Sequence, residues 1–393
     1  MTRESARSGG GAGPGAGLHI VRFAPAKLNL TLAVVGRRDD GYHALHSVMV
    51  PLLLGDALTV SVAAQATAGD TLRVSGLAVS AAEDNMVLRA IAAVRAALAL
   101  EHPGTHADLP PLSVRLVKRI PVAAGLGGGS SDAAAAIQAA LAVWQTTLAP
   151  ASKVAVAASL GSDVPFFLAH GAALIIGRGE FVEPLPDMES EPPAVLLVTP
   201  GLPVSTPAVF GAYAAGARPA DAARAQGISE SLAAQFRAGT TTAALLQEAQ
   251  SLTAANDLLP AAISVAPELE VFIQKLQGIV GRPVCQSGSG PTQWAMYATL
   301  AEARKAVRLV RLAVARGNLP TLGDGDLFAV ATAIAGPFAP RAVQFHDHQD
   351  GQRVVHSVGA NRSRTVHNGP GADAHPQGSS AGEPLEPKGD DSR

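Results

Sequence analysis

The segment Pro121-Val122-Ala123-Ala124-Gly125-Leu126-Gly127-Gly128-Gly129-Ser130-Ser131 constrains this chain more than any other stretch. It follows Pro110 to Arg119, which reads as a strand, and leads into Asp132 and the small residues Ala133 to Ala136. Strand, glycine loop and alanine-rich helix predict a βα unit whose helix packs tightly on a sheet. Glycines accept positive φ and let backbone N–H groups approach an anion. A helix N-terminus adds unpaired N–H donors and a favourable dipole. Ser130 and Ser131 are candidate caps of that helix and candidate donors to phosphate. The loop is not a Walker A motif, because no Gly-Lys-Ser/Thr follows the glycines. Nor does it have the spacing of a dinucleotide-binding fingerprint. A plain glycine turn before a capped helix is the alternative. Three consecutive glycines followed by two serines favour phosphate binding.

Around this loop the pattern alternates between strands and helices. Leu18–Phe23 and Lys27–Val35 read as strands on either side of Ala24-Pro25-Ala26. In the second, period two places Lys27, Asn29 and Thr31 on one face and the leucines on the other. Further strands are expected at 44–54, 57–62 and 71–74. Asn85–Leu100 reads as a helix, with Val87, Ile91, Val94 and Leu98 on one face. Another helix near Ala151–Leu160 ends at Gly161. The composition breaks at the proline-rich, acidic stretch Pro184 to Pro193, where a domain boundary is expected. Beyond it, strands are expected at 194–199, 292–298 and 327–334, with helices near 207–215, 229–238 and 267–276. In an amphipathic helix after Leu300, that residue and Ala303, Val307, Val310 and Val314 face inward. Residues 1–17 and 337–393 lack an apolar period and read as disordered extensions.

Two charged residues stand in apolar surroundings. Lysine is scarce here, limited to Lys27, Lys118, Lys153, Lys275, Lys305 and Lys388, so a lysine in an apolar strand stands out. Asp163 lies in Leu160-Gly161-Ser162-Asp163-Val164-Pro165-Phe166-Phe167. Burying such a charge requires a partner. Each is a surface charge or structural ion pair on one reading. On the other they act together: a carboxylate accepts the proton of a hydroxyl attacking phosphorus, and an ammonium screens the developing charge. Tyr42 and His43, in a turn, could pack on a sheet or stack on and hydrogen-bond a base. Phe210 reads as a helix core residue. The loop Ser287-Gly288-Ser289-Gly290-Pro291-Thr292 is a simple turn or a second loop beside a ligand.

Composition excludes several classes. The 393 residues, 48% of them hydrophobic, suffice for two domains. Thirty basic and 32 acidic residues show no block that suits nucleic acid. No apolar run is long enough for a membrane span. The single cysteine, Cys285, precludes an internal disulfide and suits a cytoplasmic location.

The order of these segments carries a resemblance. Pro25-Ala26-Lys27-Leu28-Asn29-Leu30, Gly41-Tyr42-His43, the Pro121–Ser131 loop, Gly161-Ser162-Asp163-Val164-Pro165-Phe166 and Gly288-Ser289-Gly290-Pro291-Thr292 follow one another. The series resembles the GHMP small-molecule kinases, and within them the branch acting on a cytidine-diphosphate ester of methylerythritol. The likeness spans roughly Val21 to Ile334. It implies an α+β, two-domain GHMP kinase fold, with a ribosomal protein S5 domain 2-like N-terminal domain (18–186) and a ferredoxin-like C-terminal domain (194–336). The active site would lie in the interdomain cleft. It implies ATP with Mg2+ as donor, with metal ligands not identified, and a small-molecule acceptor carrying a cytidine diphosphate group. The protein would be a monomer or homodimer.

By motif match Asp163 would be the base and Lys27 its partner, with Asn29 on the acceptor hydroxyls. Pro121, Val122, Ala123, Ala124, Gly125, Leu126, Gly127, Gly128, Gly129, Ser130 and Ser131 would wrap the ATP phosphates, and Asn85 would approach the adenine. Tyr42 and Phe210 would sandwich the cytosine and His43 would hydrogen-bond it. Thr206, Gly288 and Ser289 would line the acceptor site. The Pro-Val-Ala-Ala start of the loop departs from the more glycine-rich pattern of the family, which implies a stiffer loop. The alternatives are a mevalonate- or homoserine-type kinase, whose substrates carry no base to stack, and a non-catalytic nucleotide-binding regulator. The histidines of the tail (His346, His348, His356, His367, His375) match no zinc spacing.

Overall fold

The computed structural model describes residues 19–63, 69–77, 85–104, 109–216, 223–323 and 325–336, and the backbone of 342–347 and 353–357. The first half runs β1 (His19–Asn29), β2 (Ala33–Arg37), β3 (His43–Val62), β4 (Thr71–Gly76), α1 (Met86–Glu101) and β5 (Leu112–Lys118). It continues through α2 (Gly128–Val143), α3 (Pro150–Leu160), α4 (Val164–Leu168), β6 (Ala173–Gly177) and β7 (Phe181–Pro184). The second half holds β8 (Ala194–Thr199), α5 (Thr206–Ala214), α6 (Arg224–Arg237), α7 (Thr242–Gln247), α8 (Ala249–Leu252) and α9 (Leu259–Val265). Then follow α10 (Glu268–Val280), β9 (Cys285–Gln286), β10 (Gln293–Tyr297), α11 (Leu300–Ala315) and β11 (Phe328–Ala333). Strands β12 (Ala342–Asp347) and β13 (Arg353–Ser357) close the series.

The long strand β3 is the spine of the first sheet. Its first half pairs with β2 and β6, its second half with β5, and β1 runs antiparallel to it across both. Two expected breaks in this sheet do not occur. β1 passes through Pro25 with a register shift between Pro25 and Lys27, because a proline lacks the ladder N–H and is accommodated as a bulge. β3 continues through Gly55, where a Cβ would lie 2.3 Å from the Phe23 ring; only glycine lets that ring cover the strand. On one face lie α1 and α2. Ala133, Ala134, Ala136, Ile137 and Ala140 are buried, so α2 seats its backbone close to the sheet.

The second sheet has the antiparallel order β11-β8-β10-β9. One face is covered by α10 and α11, whose inward residues include Phe272, Ala303, Val307 and Val310. Leu300, expected on the inward face, is exposed as the first residue of α11. The other face meets the first sheet, where Leu28, Leu30, Val50 and Leu52 pack with Val195, Leu197, Trp294 and Met296. Backbone bonds also join the halves. Leu32 N–H donates to Ala255 O at 2.6 Å, Asp257 N–H to Leu32 O at 2.9 Å, and Ala335 N–H to Pro51 O at 2.8 Å.

The sequence reading places disorder from 337 onward, yet β12 and β13 form an antiparallel pair on the outer edge of β1, with Arg22 opposite Ala342 and His19 opposite Phe345. An open strand edge offers unpaired groups, and Ala342-Val343-Gln344-Phe345-His346 has the alternation to fill it. The expected disorder of 1–17 and of the tail beyond 357 lies outside the described residues.

Candidate active site

Lys27 enters the site from the bulged end of β1. It is buried, its N–H donates to Leu126 O at 2.9 Å, and its ammonium donates to Asn29 Oδ1. The same ammonium lies 3.6 Å from Oδ2 of Asp163, which stands at the N-cap position of the short helix α4, makes no side-chain capping bond there and stays partly open to solvent. Period two puts Lys27 and Asn29 on one side of the strand, and the fold brings Asp163 to them.

The glycine loop arches over this pair. Ala123, Gly125 and Gly127 have φ of 52°, 75° and 68°. Alternation with residues of negative φ turns successive N–H groups to one side and makes an anion-binding concavity. The helix begins at Gly128 rather than near Ser130, and its N-cap is Gly127, so neither Ser130 nor Ser131 caps it. Ser131 N–H is already bonded to Gly127 O at 2.9 Å. That leaves the N–H groups of Gly128, Gly129 and Ser130 as the first-turn donors that a helix does not satisfy internally. Side chains contribute less than the sequence reading expects. Ala124, Leu126 and Ser131 are buried; Ser131 lines a cavity with Phe166 and Phe167, and its hydroxyl oxygen is enclosed. A Cβ on Gly127 would lie 2.9 Å from Lys27 Cγ and 3.0 Å from Phe167 Cζ, so glycine is what lets the loop close on the lysine.

The second loop closes from the other half of the chain. Ser287 Oγ donates to Gly125 O at 3.0 Å and lies 3.4 Å from Asn29 N–H. A Cβ on Gly288 would lie 3.3 Å from both Lys27 Nζ and Asn29 Oδ1. Thr206 Oγ1 and Ser289 Oγ share a hydrogen bond of 2.8 Å, which joins the start of α5 to this loop. Lys27, Asn29, Asp163, Thr206, Gly288, Ser289 and the glycine loop therefore form one cluster. Asn85 lies close to it as the N-cap of α1, accepting from Val87 N–H at 3.0 Å. The next residue, Met86, has its sulfur 3.2 Å from where a Cβ of Gly129 would stand.

The aromatic group lies one helical turn along α5. His43 stacks on Phe210 with ring centroids 5.3 Å apart and meets Tyr213 edge-on at 5.7 Å. Tyr42 is exposed, and the Arg178 guanidinium sits 5.3 Å from its ring. The structure thus brings His43, rather than Tyr42, to the face of Phe210.

Two supporting residues, Ser47 and Asn256, escape the sequence reading, while Ser287 lies in the loop it singled out. Ser47 Oγ accepts from Asn29 Nδ2 at 2.9 Å. Ser287 is the bridge described above. Asn256 Nδ2 donates to Gln286 O at 3.0 Å and Gly288 O at 2.9 Å, which fixes the second loop. The polar pair Asn256-Asp257 between Ala255 and Leu258 is the one signal that could have pointed to it.

Residues 85–171 match the GHMP kinases N terminal domain. A 4-diphosphocytidyl-2-C-methyl-D-erythritol kinase of Granulibacter bethesdensis is 37% identical over 317 residues, which are 80% of this chain and 96% of the relative. The chain belongs to the 4-diphosphocytidyl-2-C-methyl-D-erythritol kinase family. A second member, from Pelotomaculum thermopropionicum, is 38% identical over 74% of this chain and 94% of its own length. Among solved structures, a crystal structure of 4-(cytidine 5'-diphospho)-2C-methyl-D-erythritol kinase aligns with a TM-score of 0.55 at 30% identity, covering 80% of this chain and 99% of that one. The mevalonate kinase of L. major aligns with a TM-score of 0.57 at 14% identity, covering 81% and 96%, a likeness of fold alone. The architecture of this kinase family is thus the two-domain GHMP fold.

Proposed function

We propose that the chain transfers the γ-phosphoryl group of ATP to the 2-hydroxyl of 4-diphosphocytidyl-2-C-methyl-D-erythritol, in non-mevalonate isoprenoid precursor synthesis. The observation that carries this reading is the Lys27–Asp163 pair, 3.6 Å apart beneath two converging glycine loops. Asp163 accepts the proton of the attacking hydroxyl as its oxygen bonds to the γ-phosphorus and the bond to ADP breaks. Lys27 neutralises charge that develops between them. Asn29, held by Lys27 and Ser47, and Thr206 with Gly288 and Ser289 orient the acceptor hydroxyls. The N–H groups of Gly128, Gly129 and Ser130 receive the phosphates, with Asn85 toward the adenine.

Magnesium would accompany the nucleotide and neutralise phosphate charge. Among the described residues no three His, Cys, Asp or Glu side chains gather as a metal cage. Tyr42 and Phe210 flank the cytosine, for which His43 must leave the Phe210 face and turn its ring edge to the base. We take 18–186 and 194–336 as the two domains, and the cytoplasm as the location. No helix among the described residues is long and apolar enough to cross a membrane.

The test is ADP release by the purified protein with Mg-ATP and the cytidine substrate, mevalonate or homoserine. Turnover of the cytidine substrate alone is expected. Turnover of a rival acceptor would overturn the base-binding role of Tyr42, His43 and Phe210. No turnover with any of them would favour the regulator reading.

A further inference from the structure

Beneath the glycine loop lies a buried ionic cluster that the mechanism above does not use. Lys118, the last residue of β5, donates its ammonium to Asp56 Oδ2 and, at 2.6 Å, to Asp132 Oδ2. All three side chains are almost wholly enclosed. Asp56, on β3, also accepts the N–H groups of Arg119 at 2.5 Å and Ile120 at 2.9 Å through its other oxygen. Those two residues are the stem by which the chain enters the loop at Pro121. Asp132 lies just inside α2, the stem by which the chain leaves. A Cβ on Gly128 would stand 3.0 Å from Ile120 Cγ2 and 3.4 Å from Lys118 Nζ, so the ammonium lies directly under the helix start.

We infer that Lys118, Asp56 and Asp132 form a clamp that closes the two stems of the phosphate loop onto the sheet and sets the height of its N–H donors. The three are positioning residues: each touches the loop's supports and none reaches the Lys27–Asp163 centre. Burying an ammonium and two carboxyl groups is expensive, and a hydrophobic cluster would hold a helix on a sheet at least as well. What an ionic cluster adds is direction, because hydrogen bonds of fixed geometry at both stems leave the loop one place to stand. The exchange of bonds is economical as well. Asp56 satisfies two backbone donors at the strand's end, of which that of buried Ile120 would otherwise be left unpaired in the interior. The inference rests on the reading of 121–131 as the phosphate loop.

The test uses Asp132→Ala in the full chain, which leaves the Lys118–Asp56 pair intact. Loss of one charge-assisted hydrogen bond predicts a rise of about tenfold in KM for ATP. The KM of the acceptor should stay within about twofold, because its contacts come from Asn29, Thr206 and the second loop. Asp132→Asn keeps the shape and can accept the same bond, so it should return the ATP KM to within about threefold of the unsubstituted protein. Should Asp132→Ala not fold, Asp132→Ser takes its place, since its short hydroxyl cannot reach Lys118. Unchanged ATP KM in a folded variant, an equal rise for both substrates, or no recovery in Asp132→Asn would each overturn the clamp. Were the unsubstituted protein to show no turnover, the functional reading would fail separately. ATP affinity by calorimetry would then test the clamp with the same expected ratios.

Discussion

The ammonium of Lys27 and the carboxylate of Asp163 stand 3.6 Å apart, one at the bulged end of β1 and the other at the cap of α4, with Gly127 folded over the lysine stem. The contact depends on a glycine that has both a positive φ and no room for a side chain.

Gly127→Ala should therefore lose both stability and activity. An alanine in the left-handed region costs about 1–2 kcal/mol. Its Cβ would also push on Lys27 Cγ and the Phe167 ring. Gly281→Ala is the control: φ is 62° and nothing lies within 4 Å of the added atom. Both variants should lower the denaturant midpoint, and only Gly127→Ala should lower kcat.

Phe210→Ala should weaken acceptor binding selectively. Stacking of a base on an aromatic ring is worth about 1–3 kcal/mol, a rise of roughly 5- to 150-fold in KM for the cytidine substrate. The KM for ATP should not move, because Phe210 lies a helical turn beyond Thr206 and away from the glycine loop. Equal changes in both would remove the base from this end of the cleft.

The loop, the helix it opens and the Lys27/Asn29 face were legible in the sequence because glycine, small residues and period two each have a local physical meaning. The meeting of Lys27 with Asp163 was not, since no local rule brings residues so distant in sequence together. Ser47 and Asn256 escaped for the same reason: a lone polar side chain signals nothing until its partner is known. Lys118 stood out only as one of few lysines, and its carboxylate partners became visible with the fold. The strand breaks expected at Pro25 and Gly55 failed because tertiary packing overrode local punctuation, by a bulge at one and an aromatic cover at the other.

Asp132 makes stability pH-dependent. Burial raises its pKa, the negative charge of Asp56 adds to that and Lys118 opposes it, and the result is about 7. The folded value lies above the unfolded one of 3.8. The contribution is thus fully present below that unfolded value and is lost as pH rises through about 7. Urea midpoints at pH 5 and pH 8 should show the unsubstituted protein losing roughly 1–4 kcal/mol relative to Asp132→Asn, which cannot titrate. A pH-independent difference between the two proteins would contradict this assignment.

The most direct test of the account is single-turnover phosphoryl transfer by Asp163→Asn, measured beside its ATP affinity. Removal of a general base should slow the chemical step by about 10²- to 10⁴-fold. ATP affinity should stay within about threefold, because the proposed function assigns the nucleotide to the glycine loop and not to Asp163. A variant that transfers phosphate at the unsubstituted rate would contradict the role of Asp163, and with it the catalytic meaning of its contact with Lys27.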